Sequence, residues 1–186
     1  KNNGTQCGDV LILTKPLGVG LTLNALRMND CSKEMQERVF KSMTTLNKYA
    51  CDVLKKYDVH ALTDVTGFGL LVHLNEMLDE KNSAVIYKDS IPYFDDCQKY
   101  VEEFYLSGAA QTNRNSVEGK ISFDCDFFTE EILFDPQTSG GLLASVSKAD
   151  LEMLEKDFKE NNLELYVVGE VIEKNEYNVY VRGRKI

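Results

Sequence analysis

Apolar positions along the chain recur with two different periods. Short runs without polar interruption predict strands: DVLILT (Asp9 to Thr14), stopped by Lys15-Pro16, then SAVIYK (Ser83 to Lys88), EILF (Glu131 to Phe134) and LLASV (Leu142 to Val146). A spacing of three or four predicts helices. Met35, Val39, Met43, Leu46, Ala50, Val53 and Tyr57 fit one long amphipathic helix from Ser32 to Tyr57, with Ser32 as its N-cap and Glu34 in its first turn. A short run at His60 to Leu62 leads through TDVTGFG into a second helix, GLLVHLNEML, with Leu70, Leu71, Leu74, Met77 and Leu78 on one face. Cys97, Tyr100, Val101 and Phe104 predict a helix within Asp95 to Leu106, and residues 107–128 read as irregular. Ser147 with Asp150 three residues on has the form of a capping box, and Val146 is placed to staple against Leu151. LELYVVGEVI and YNVYVR flank the EKNE turn and predict a terminal hairpin. Strands and helices alternate without a strict βαβ rhythm, so the expected fold is α+β: one domain, residues 1–186, with helices packed on a mixed sheet.

Composition narrows the function classes. Of 186 residues, 43% are hydrophobic and 27% charged, the balance of a folded globular chain rather than a disordered one. A net charge of -9 argues against a nucleic-acid-binding or membrane-binding surface. It leaves room for a phosphorylated small molecule if a metal ion or backbone N–H groups supply the positive field. Five scattered cysteines without CxxC spacing point to reduced thiols in a cytosolic compartment, not to disulfides or a zinc site. No apolar run approaches the roughly 20 residues of a membrane span, and no secretory signal is visible. The start at Lys1, followed by polar NNGTQ, reads as a piece of a longer protein.

Three segments carry candidate chemistry. In TDVTGFG, Gly67 and Gly69 precede a predicted helix, whose N-terminal N–H groups favour phosphate, and Asp64 is an oxygen ligand for magnesium. The same residues also make a plain cap and turn. DPQTSGG joins an acid, an amide and two hydroxyls to a glycine pair. It suits a loop that closes on a polar ligand, or one that satisfies its own backbone. TKPLGVG offers Lys15 to a phosphate or to solvent. His60 and His73 have no partner that spells a triad or a metal site, and no cysteine has the basic neighbour of a nucleophile. Asn113-Arg114-Asn115 reads either as an anion contact or as ordinary loop polarity.

Taken together, GDVLILTKPLG, LTDVTGFGLLVHLNEM, DPQTSGGLLASV and the terminal YVVGEV resemble, in that order, the C-terminal half of the selenophosphate synthetase (selenide, water dikinase) family. Aminoimidazole ribonucleotide synthetase, thiamine-monophosphate kinase and a hydrogenase maturation factor share its superfamily. The resemblance implies a cytoplasmic, homodimeric phosphotransferase. It would use ATP, Mg2+, selenide and water to make selenophosphate, AMP and phosphate, for selenocysteine and selenium-modified tRNA. It implies that Asp64 helps bind Mg2+ and that Thr63, Thr66, Gly67, Phe68 and Gly69 shape the nucleotide-phosphate site. Lys15, Asp135, Gln137, Thr138, Ser139, Gly140 and Gly141 would line the active cleft. No catalytic residue is expected in this chain, because the family's reactive Cys or selenocysteine, its partner lysine and further metal aspartates belong to the preceding N-terminal, ATP-binding half. Two departures stand out: Val72 where the family has glycine, and Gly108-Ala109-Ala110 where many members have Pro-Gly-Gly. Alternatives are a sister ATP-dependent synthetase or kinase, and a catalytically silent paralogue that acts by binding partners.

Overall fold

The computed structural model describes residues 2–184. Seven strands and eight helices follow in chain order: β1 (Val10–Leu13), α1 (Val19–Arg27), α2 (Lys33–Thr44), α3 (Lys48–Leu54), β2 (Val59–Asp64), α4 (Gly69–Met77), β3 (Asn82–Tyr87), α5 (Cys97–Glu102), α6 (Gly108–Ser116), β4 (Ile121–Phe123), α7 (Phe127–Phe134), β5 (Leu142–Val146), α8 (Leu151–Glu160), β6 (Tyr166–Glu173) and β7 (Val179–Arg182). The strands form one mixed sheet in the order β2-β5-β1-β6-β3-β7-β4. Only the β3–β7 and β4–β7 pairs are parallel. The α+β expectation holds.

Strand alternation divides the interior in two. Leu11, Leu13, Ala61 and Leu143 face a large cluster built with α1, α2 and α4–α7. Val10, Ile12, Leu142, Ala144 and Val146 face a smaller one closed by Ala50, Val53 and Leu54 of α3 and by Leu154 and Phe158 of α8. That division breaks the long helix predicted from Ser32 to Tyr57. Met35 and Val39 serve the first cluster, Ala50 and Val53 the second, and no straight helix reaches both faces of a sheet. The chain leaves helix at Thr45 (φ -71°, ψ 121°), and Leu46 is exposed. The Ser32 cap is as expected, its hydroxyl accepting from Met35 N–H at 3.1 Å.

Four further expectations change. EILF is the last turn of α7, whose N-cap Asp126 accepts from Thr129 N–H at 2.8 Å; a short apolar run does not reveal its own period. Residues 107–128 are ordered as α6, β4 and the start of α7, with Ser107 capping α6. The terminal hairpin does not form, because β3 lies between β6 and β7. The Ser147 capping box is absent: Asp150 instead accepts from Asp58 N–H at 3.0 Å, tying α8 to the entrance of β2. Val72 sits buried within α4 without interrupting it. All five cysteines are free thiols. Among the described residues, no helix is long and apolar enough to cross a membrane.

Candidate functional site

Sheet register brings the three glycine-bearing segments to one place. Leu13 of β1 pairs with Leu143 of β5, and Asp64 of β2 pairs with Leu142. The exit of β1, the exit of β2 and the entrance of β5 therefore lie at the same end of three adjacent strands, and TKPLGVG, TDVTGFG and DPQTSGG meet there.

The meeting is an interlock of backbones. Val65 N–H donates to Gly141 O at 2.8 Å, and Gln137 N–H donates to Thr66 O at 3.0 Å. The glycine pair is required by this contact: a Cβ on Gly140 would collide with Val65 O, and one on Gly141 would lie 2.6 Å from Lys15 N. Gly69 (φ 74°) is likewise confined, since a Cβ would sit 2.9 Å from the Phe134 carbonyl. Asn113, buried on α6, donates from Nδ2 to Gly67 O (2.9 Å) and Phe134 O (3.1 Å), so it fixes both loops at once. Sequence reasoning left Asn113 in an irregular segment. The signal was its place in a helix that the low apolar content of 107–116 conceals.

Asp135 and Gln137 point inward, to the start of α1. That helix has no local side-chain cap. Instead Gln137 Oε1 accepts from Gly18 N–H and Val19 N–H, both at 3.2 Å, while Asp135 Oδ2 accepts from Gly20 N–H at 2.9 Å. Gln137 Nε2 then donates to the Asp135 carbonyl (2.8 Å) and carboxylate (2.9 Å). A negative group at the positive end of a helix is favourable, yet Asp135 Oδ1 is buried with no partner. Burial pushes the Asp135 carboxyl up to about 7, against the pull of Gln137 and the Gly20 and Leu21 N–H groups, with Glu131 adding to the rise.

Lys15 is also committed. Only 7% exposed, it donates from Nζ to Thr45 O (2.8 Å) and Ser139 O (2.9 Å), and burial lowers its pKa. Asn47 Nδ2 adds a bond to Gly140 O at 2.9 Å. Together they pin the break between α2 and α3 to the DPQTSGG loop.

What remains open is the outer rim. Asp64 is exposed at the end of β2, an edge strand, and its carboxylate has no hydrogen-bond or ion-pair partner among the described residues. Gly67 and Phe68 are exposed beside it, and α4 starts without a side-chain cap. Thr63 and Thr66 are half-buried, the Thr66 hydroxyl lying 3.1 Å from His73 Nε2. Thr138 and Ser139 are exposed at the tip of their loop. Among the described residues, no group of three or more His, Cys, Asp or Glu side chains is placed to hold a metal. The free Asp64 carboxylate fits a single position on a magnesium ion that keeps its others for water and phosphate oxygens; Thr63, its neighbour on β2, points to the opposite face of the sheet.

Two other candidates resolve as structural. Arg114 pairs with Glu131 at 2.5 Å and lies 5.0 Å from the centre of the Phe134 ring, so its guanidinium ties α6 to α7. His60 donates from Nδ1 to the Asp9 carboxylate (2.8 Å), and Asp9 also accepts from Ser145 Oγ and Gln6 N–H. The network joins β1, β2 and β5 laterally, away from the sheet end.

The family model described as AIR synthase related protein, C-terminal domain, matches residues 6–182. The chain is 44% identical over 182 residues to a selenide, water dikinase of Agathobacter rectalis, a match covering 97% of this chain and 53% of that protein. It is 40% identical over 180 residues to a selenide, water dikinase of Desulfitobacterium hafniense, covering 96% and 53%. The chain thus spans about half the length of the curated relatives it matches. Among solved structures it superposes on the hydrogenase maturation protein HypE of E. coli with a TM-score of 0.66 at 17% identity, covering 97% of this chain and 48% of that one. A thiamine-monophosphate kinase from Stenotrophomonas maltophilia gives a TM-score of 0.58 at 15% identity, covering 100% and 54%. These two likenesses are of fold.

Proposed function

The chain belongs to the family of AIR synthase related protein C-terminal domains, and from that premise we propose that it forms one wall of the active site of a selenide, water dikinase. The reaction would convert ATP, selenide and water to selenophosphate, AMP and phosphate, in a cytoplasmic enzyme that works as a homodimer. The observation that carries this reading is the sheet end itself: three segments far apart in sequence interlock there, and the Asp64 carboxylate stands exposed at the rim without a partner among the described residues.

The division of labour follows from burial. Asp135, Gln137, Gly140, Gly141 and Lys15 hold the wall rigid, which phosphoryl transfer needs because its catalysis is mostly positioning and charge stabilisation. Asp64 would hold Mg2+ on the phosphates of ATP, and Thr63 and Thr66 would shape the nucleotide-phosphate site around it. When bound, the ion neutralises phosphate charge. Gly67 and Phe68, both exposed, would lie along the nucleotide phosphates at the uncapped start of α4, while the buried Gly69, whose N–H donates to Thr66 O at 3.1 Å, would fix the turn behind them. Thr138 and Ser139 would line the cleft from the opposite loop. The nucleophilic and remaining metal-binding groups would come from the other half of the enzyme, so this chain alone is expected to make no selenophosphate.

The test is magnesium dependence in the intact enzyme. Asp64→Asn keeps size and polarity but removes the charge. It is expected to lower kcat/KM by about 100-fold and to raise the Mg2+ concentration needed for half-maximal rate. An unchanged Mg2+ requirement at wild-type turnover would remove Asp64 from the site.

A further inference from the structure

A cavity of about 340 Å³ lies on the α3 and α8 side of the sheet, between α2, the break that follows it and the turn at residues 162–164. That size is within the range of small-molecule sites. Its charge is the reverse of the molecule's. The chain carries -9 overall, yet the wall holds Lys15, Arg38 and Lys41 against one carboxylate, Glu164. Asp95 neutralises Arg38 from outside the wall, which leaves Lys15 and Lys41 in excess over Glu164, and like charges around one concavity repel one another.

The three cations differ in freedom. Lys15 is held by two carbonyls and contributes a fixed, desolvated charge at the back of the cavity. Arg38 is anchored by Asp95 through one nitrogen at 2.6 Å, which leaves its other N–H groups available and sets the guanidinium's direction. Lys41, one turn further along α2, has no side-chain partner among the described residues. Ser42 adds a hydroxyl to the wall, and Asn47 brings an amide oxygen that is buried without a partner, an acceptor for a protonated ligand oxygen. Ala50 and Leu163 supply an apolar side.

We propose that this cavity binds the phosphoryl group of a small molecule, gripped by Arg38 and Lys41 with Lys15 behind them. A tetrahedral oxyanion matches the donors: a fork of N–H groups from one side, a mobile ammonium from another and a hydroxyl between. Asp64 is absent from its wall and the site does not depend on the metal role proposed there, though Lys15 and Asn47 are common to it and to the brace of the DPQTSGG loop.

The experiment is a titration of the 186-residue chain with inorganic phosphate and, separately, with AMP, followed by amide NMR in EDTA at fixed ionic strength. Saturable shifts around residues 38–47 and 162–164 are expected, with a dissociation constant on the order of 1 mM. Arg38→Gln/Lys41→Gln alters exposed side chains and should keep the fold, checked by far-UV circular dichroism, while weakening binding about tenfold or more. Asp64→Asn should bind as the natural chain does. Tighter binding of AMP identifies a phosphomonoester as the ligand, and equal or tighter binding of phosphate identifies the free ion. Shifts that chloride reproduces, no saturation, or unchanged binding by the double variant would overturn the proposal.

Discussion

The two polar motifs at the sheet end have similar compositions and opposite fates. DPQTSGG turns its acid and amide inward, where Asp135 and Gln137 satisfy the first N–H groups of α1 across more than a hundred residues of chain. TDVTGFG leaves its acid outside, with Asp64 unpaired on an edge strand. An acid in a glycine-rich loop is therefore not one kind of residue. One substitutes for a missing helix cap from within the core, and the other presents its carboxylate to solvent, where a ligand can reach it.

The largest expected effect separates the two. Asp64→Ala should abolish most activity in the intact enzyme, by about 100-fold or more. An exposed, unpartnered carboxylate contributes little to stability, so the variant's unfolding free energy should stay within about 0.5 kcal/mol of wild type. Gln137→Ala should do the reverse. It orphans two buried N–H groups and a bond to Asp135, at a cost of about 2–4 kcal/mol, measured by urea unfolding. Equal loss of stability in both variants would dissolve the contrast.

A pH series sharpens it further. The Asp135 carboxyl is raised in the folded state to about 7. A raised carboxyl favours folding while protonated, so its contribution is full below the unfolded value of about 4 and is lost as pH climbs through about 7. His60 is lowered by its own burial but raised on balance by Asp9 and Asp58, and it too gives up stability as pH rises through its folded pKa. Melting temperature should therefore fall between pH 5 and pH 8, roughly the span these groups cover. Asp135→Asn, which cannot ionise, should flatten the part of that fall that belongs to Asp135 and leave the part belonging to His60. A slope identical to wild type would place the Asp135 charge elsewhere in the balance.

What the sequence made legible follows the same division. Local signals read well: the apolar runs of β1, β3 and β5, the Ser32 cap, and the helix that follows TDVTGFG. The three motif segments were recognisable one by one. Their joint position was not, because it depends on β5 lying between β1 and β2, a long-range pairing that no local window contains. The broken helix at Thr45 failed for the same reason. Its apolar spacing is continuous, but the two halves serve different faces of the sheet. Asp135 and Gln137 stand out for their chemistry, which suits lining a cleft and satisfying the loop's own backbone equally. The need they meet lies in α1, whose start at Gly18 carries no capping side chain of its own.

The smallest expected effect falls within DPQTSGG itself, at the point where buried gives way to exposed. Ser139 has φ 53°, a conformation that costs a residue with a Cβ about 1 kcal/mol and costs glycine almost nothing. Its carbonyl receives the Lys15 ammonium, a backbone contact that any residue preserves, whereas its hydroxyl makes no bond among the described residues. Nothing in the fold requires a serine there. Ser139→Gly should leave stability unchanged or raise it by up to about 1 kcal/mol, since relief of the strain is offset by a more flexible unfolded chain. If the exposed hydroxyl lines the cleft, the same variant should lower kcat/KM severalfold with no change in melting temperature. Wild-type kcat/KM would mean that the whole of DPQTSGG, exposed tip included, serves the fold, and that the rim at Asp64 faces its ligand without help from that loop.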